Sequence, residues 1–229
     1  MDKQKVNVPG AEEFAQPRSR KNFFKALAVA GAGAAAGSLA FSREASAQAG
    51  GDLEIANFAL TLEYLEEEYY GLALDAGVLS GDALAVVEAL FDHESQHVGA
   101  LVDLIGQFGG TPVAKPEFAF PPETLASQGA ILETAATLEP VGVGAYLGAA
   151  VLIKSPEVLA AAGSIAGVEG EHVVAVNNLI GGLPAAVEAF PAALTMDEVL
   201  AAVSPFIMGG MMDTGGGAQY RDRSSFGRV

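Results

Sequence analysis

The chain has 229 residues, of which 51% are hydrophobic, with no cysteine, no tryptophan and a formal net charge of −16. That length allows one medium-sized core with appendages. Without cysteine there are no disulfides, thiolate metal sites or thiol catalysis, and the acid excess repels nucleic acid and anionic lipid while attracting cations.

Residues 18–25 read RSRKNFFK, followed by the mild apolar run ALAVAGAGAAAGSLAF and then SREASAQ. A basic segment, an apolar segment and an Ala-x-Ala site at Ala45-Ser46-Ala47 predict an export signal over residues 1–47. The segment resembles the twin-arginine type, with Arg20-Lys21 where that pattern has two arginines; ordinary secretion is the alternative route. The apolar run is 16 residues long, too short for a stable membrane span. Cleavage after Ala47 leaves 5 basic against 24 acidic residues, a net charge of −19, in a mature chain expected in the periplasm or outside the cell.

The mature chain reads as four long helices. The first, about Asp52 to Ala76, carries Ile55, Phe58, Ala59, Leu62, Leu65 and Tyr69 at helical spacing, with Asp52 as N-cap and Gly77 as stop. The second starts near Ser80 or Asp82 and runs to Phe108, ended by Gly109-Gly110. The stretch GGTPVAKPEFAFPP that follows has too many prolines for a helix interior and reads as a long extended crossover. A third helix is expected from about Glu123 to Ile153, with Pro140 a place where it can bend, and KSPE marks the turn into a fourth, Pro156 to Ile180. TMDEVLAAVSPFI predicts a short fifth helix capped by Thr195 or Asp197. The glycine-rich residues 207–229 lack periodicity and read as a flexible tail. One long and two short connections make an all-α four-helix bundle of two antiparallel hairpins joined by a crossover, with a short C-terminal helix, over residues 48–206.

Two of the three histidines share one partner at one spacing: Glu94 precedes His97 by three residues, and Glu169 precedes His172 by three. Residues three apart on a helix share a face, so each pair aims an oxygen and a nitrogen in one direction. Helices rise 1.5 Å per residue, so residues equally far from a turn lie level. Counting from the turns sets Glu63 opposite Glu94 and Glu139 opposite Glu169. The halves also repeat. LEYLEEEYYGLAL (62–74) aligns with LEPVGVGAYLGAA (138–150), superposing Glu63 on Glu139 and Tyr70 on Tyr146, as duplication of one hairpin would.

The same alignment puts Glu66 opposite Gly142, although Glu66 lies nearer the centre of the apolar stripe than Glu63 and stands as its substitute. Glu133 is the analogous substitute for Glu139. Tyr70 and Tyr146, seven residues after Glu63 and Glu139 and on the same face, read as hydrogen-bond donors behind the ligands, one-electron relays or ordinary core aromatics. His93 lies about 100° around the helix from Glu94 and is expected to be exposed. Four carboxylates and two imidazoles suit two ions of iron or manganese, and burying the acids without cations is prohibitively costly.

With these residues in place, the segment from about Asp52 to Phe206 resembles the ferritin-like superfamily. It is most similar to the exported ferritin-like proteins related to desiccation-related proteins, through ANFALTLEYLEEEYYG, HESQHV, GVGAYLGAA and GVEGEHVVAVNNLIG. The resemblance implies a ferritin-like bundle with Glu63, Glu94, His97, Glu139, Glu169 and His172 as ligands of two iron or manganese ions. It also implies Fe(II) oxidation or reduction of dioxygen or peroxide, manganese-catalase chemistry included, and a homodimer as the expected assembly. A stress-protective structural protein with a purely structural metal, or none, is the alternative.

Overall fold

The computed structural model describes residues 43–181 and 188–207, with side chains described from Gly51 onward. The export signal up to residue 42 and the tail from residue 208 lie outside the described residues. Among those described there are five α-helices and no named strand.

Helix α1 spans Arg43–Asp75, starting well before Asp52. Residues 44–49 are mostly alanine, glutamate and glutamine, which favour helix, and α1 runs on through Gly50-Gly51, so Asp52 is interior and caps nothing of its own. Its buried carboxylate instead accepts hydrogen bonds from the backbone N–H groups of Lys154 and Ser155, at 2.9 and 2.7 Å. This ties α1 to the distant turn of the second hairpin. Gly77, at φ 65°, provides the left-handed exit from α1. Helix α2 spans Gly81–Gln107.

The crossover then runs without regular structure to a 3₁₀ turn at Pro122–Leu125. It is pinned from both sides. Phe118 pairs with Ile207 in an isolated antiparallel bridge, and Phe120 packs between Tyr69 and Phe206 with ring centroids 5.1 and 5.5 Å away. Helix α3 spans Gln128–Ala150 rather than reaching back to Glu123, because Ser127 adopts extended backbone and accepts a bond from the N–H of Ala130, which makes it the N-cap. The helix passes unbroken through Pro140, which faces outward. Helix α4 spans Pro156–Leu179, with Ser155 accepting from the N–H groups of Glu157 and Val158 and proline at the first helical position. Helix α5, Met196–Val203, opens with a reciprocal capping box between Thr195 and Glu198.

Helix α1 pairs with α2 and α3 with α4, and the hairpins meet through α1–α3 and α2–α4. Helix α5 packs on α3, and Leu194, before it, donates its N–H to the carbonyl of Gly144 at 2.9 Å. The glycines of α3 permit that approach, since a Cβ on Gly148 would stand 1.8 Å from the Leu194 carbonyl oxygen. Helix α4 is also long and apolar enough to cross a membrane, but here it packs in the bundle with a glutamate and a histidine turned inward.

The apolar core is divided in two. One cluster gathers Leu65, Tyr69, Val87, Ile131, Leu138 and Val176 toward the α1–α2 turn. The other gathers Leu60, Leu101, Ile105, Tyr146, Val158 and Ile165 toward the α3–α4 turn. Between the two lies a belt of buried charged side chains.

Candidate metal centre

All six residues singled out from spacing lie in that belt, and none is more than 5% exposed: Glu63 on α1, Glu94 and His97 on α2, Glu139 on α3, Glu169 and His172 on α4. Each Glu-x-x-His pair projects from one helical face, and antiparallel packing brings the four helices level. Glu63, Glu94, His97 and Glu169 offer ligand atoms all within 4.8 Å of one another, and so do Glu94, Glu139 and His172.

The contacts follow the duplication. His97 Nδ1 faces Glu94 Oε2 at 2.8 Å, Glu63 Oε2 at 3.0 Å and Glu169 Oε1 at 3.3 Å. His172 Nδ1 faces Glu94 Oε1 at 3.0 Å, Glu139 Oε2 at 3.2 Å and Glu169 Oε2 at 4.0 Å. A ring nitrogen carries at most one proton, which leaves most of these oxygens unserved. Glu94 Oε1 and both oxygens of Glu169 are buried without a hydrogen-bond partner; their short distances to the rings are charge contacts outside hydrogen-bonding alignment. Orphaned buried carboxylate oxygens converging with two imidazole nitrogens match the donor set of a pair of hard or borderline cations.

Electrostatics agree. Burial pushes Glu63 up to about 8, even though His97 beside it pulls the other way. Burial, with the neighbouring carboxylates, raises Glu169 well above the usual carboxylate range. Burial acts upward on Glu94 too, but the imidazoles of His172 and His97 beside it outweigh burial and hold that carboxyl at about 2. Both imidazoles would be pushed down by burial, yet Glu169, Glu63 and Glu94 lift His97 to about 12, and Glu139 and Glu94 lift His172 to about 10. Without a metal the cluster therefore retains protons on Glu63, Glu169 and both imidazoles near neutral pH.

Two tyrosines complete the frame. The Tyr70 hydroxyl donates to Glu139, and the Tyr146 hydroxyl donates to Glu63. Each repeat's tyrosine thus holds the other repeat's lone glutamate, so the hydrogen-bond-donor reading of these residues is the one the fold supports.

Three residues differ from expectation. Glu66 does not replace Glu63 but joins it: it is buried, and it forms a further group with Glu139 and Glu169. Its space comes from Gly142, where a Cβ would lie 2.9 Å from Glu169 Oε2 and 3.4 Å from Glu66 Oε1. The helical wheel already set Glu66 near the stripe's centre; what the alignment with Gly142 concealed is that the glycine is the vacancy the glutamate fills. Glu133 is exposed and substitutes for nothing. His93 is half-buried rather than exposed, and its Nδ1 lies 2.9 Å from His172 Nε2. No periodicity predicts that contact, because it arises at the seam between α2 and α4.

The protein family described as ferritin-like domain matches residues 51–182, more than half of the chain. No curated protein matches the sequence.

Proposed function

The chain belongs to the ferritin-like domain family, and on that premise we propose that it is an exported dimetal-carboxylate protein, of the desiccation-related branch, holding two ions of iron or manganese. Glu63 and His97 would hold one ion and Glu139 and His172 the other, with Glu94 and Glu169 between them shared by both. When bound, such ions supply two neighbouring redox centres able to exchange electrons with dioxygen, peroxide or Fe(II).

The chain's own part is to shape and insulate that position. The carboxylates offset the charge of the ions, and the imidazoles contribute neutral donors after losing a proton. Tyr70 and Tyr146 hold Glu139 and Glu63 in orientation by donating to them. The apolar clusters on either side keep bulk water away, which strengthens every interaction inside. Export in the folded state would follow from the twin-arginine-like signal, with the mature chain beginning after Ala47, and a homodimer is the expected assembly.

The observation that carries this reading is the ring of carboxylate oxygens around each inward histidine nitrogen, three of them orphaned. Elemental analysis tests it. Two metal ions per purified chain are expected, lost in a His97→Ala, His172→Ala double variant; equal metal content in both proteins would overturn the proposal. The metal found separates iron from manganese chemistry. Turnover of peroxide or Fe(II) by the loaded protein separates a redox role from a structural, stress-protective one.

A further inference from the structure

Of the three histidines in the chain, His93 is the one outside the carboxylate ring, and its position bears directly on how His172 is held. His172 turns Nδ1 inward, toward Glu94 and Glu139. Its Nε2 points the other way and lies 2.9 Å from His93 Nδ1. The two rings meet edge to edge, nearly in one plane, with centroids 5.2 Å apart and planes 13° from parallel. A neutral imidazole has one N–H and one lone pair, and only the lone pair can ligate a metal.

We propose that His93 is a positioning residue for metal binding by His172: its Nδ1 accepts the Nε2–H, so that His172 keeps its Nδ1 lone pair toward the carboxylates. Helix geometry explains how α2 supplies both a ligand and this acceptor. Glu94 points into the belt, and His93, one residue earlier and about 100° around the helix, points to the seam with α4. An imidazole also suits this place better than a carboxylate. Glu63, Glu66, Glu94, Glu139 and Glu169 are already buried together, and a further anion behind His172 would add to their repulsion. A neutral acceptor orients the ring without adding charge. With Glu66 on the same side, the metal position at Glu139 and His172 is built differently from the one at Glu63 and His97, despite the duplication.

This inference rests on the dimetal reading, and two variants test it separately. His93→Phe keeps an aromatic ring beside His172 but puts carbon where Nδ1 was. His93→Asn loses the ring but keeps an acceptor oxygen near the same place. Anaerobic titration with Co(II), chosen for its visible bands and paramagnetic shifts, should give two ions per wild-type chain. His93→Phe should weaken one of the two binding steps by about 10- to 100-fold and leave the other near wild type, while His93→Asn recovers most of the loss. In proton spectra of the Co(II) protein, the exchangeable N–H signal of His172 should persist in wild type and His93→Asn and exchange rapidly in His93→Phe. If His93→Phe does not fold, His93→Ala takes its place in the same comparison. Wild-type Co(II) binding by His93→Phe would overturn the inference. So would a His93→Asn protein as weak as His93→Phe, which would assign the effect to ring packing. A wild-type chain that binds no Co(II) would instead sink the dimetal reading, and this inference with it.

Discussion

Replacing Gly142 by alanine should separate the stability of the bundle from its capacity for metal. Position 142 is buried inside α3, where alanine is favoured over glycine by about 0.8–1.0 kcal/mol. For a chain of this size that corresponds to a melting temperature about 2–4 °C higher. Against this, the new Cβ would lie 2.9 Å from Glu169 Oε2, where ordinary contact begins near 3.4 Å, so the carboxylate must retreat by about 0.5 Å. In the metal-free protein the retreat costs little, because the oxygen is the free end of a side chain and has no hydrogen bond to break. In the loaded protein the same movement reaches the limit of roughly 0.5 Å within which a ligand set works. The expected outcome is a metal-free variant at least as stable as wild type, with binding of at least one ion weakened about tenfold or more. Calorimetry of the chelated proteins and metal titration by chelator competition measure the two effects. Unchanged binding of both ions would refute the reasoning, because the space at Gly142 would then serve no ligand. A metal-free variant melting several degrees below wild type would refute it differently, by showing that the space serves packing.

Asp52→Ala removes a buried acceptor shared by two backbone N–H groups of the α3–α4 turn, and should cost about 1–3 kcal/mol. Metal stoichiometry should be unchanged, since Asp52 lies beyond the second apolar cluster; thermal melting and elemental analysis check the two halves of this expectation. Metal binding at pH 7 should release protons, at least one each from His97, His172 and Glu63, which burial and neighbouring charges keep protonated in the metal-free protein. Calorimetric titration in buffers of different ionisation enthalpy counts them, and apparent affinity should rise with pH. Stability of the metal-free protein should move the opposite way. The folded pKa of Glu63 is raised, so its contribution is full below about 4.5 and lost as the pH rises through about 8. That of His97 is full below about 6.5 and lost toward about 12. Melting temperature without metal should therefore fall from pH 6 to pH 9, and added metal should remove much of that fall.

The sequence alone determined the helices, their order and the juxtaposition of Glu63, Glu94, His97, Glu139, Glu169 and His172. These follow from short-range rules: a 3.6-residue period, a fixed rise per residue, and turn residues from which level positions can be counted. Duplication supplied a second copy against which to check each choice. Where local signals competed, tertiary structure decided. Asp52 looked like an N-cap, yet α1 continues through it, and its carboxylate serves instead two N–H groups from a turn about a hundred residues later. The alignment set Glu66 against Gly142 as a mismatch, whereas in three dimensions they are two sides of one contact. His93 read as exposed because a helical wheel describes one helix at a time, and its partner His172 belongs to another. Periodicity tells which face of a helix turns inward; which side chain from a neighbouring helix meets it there depends on how the hairpins pack.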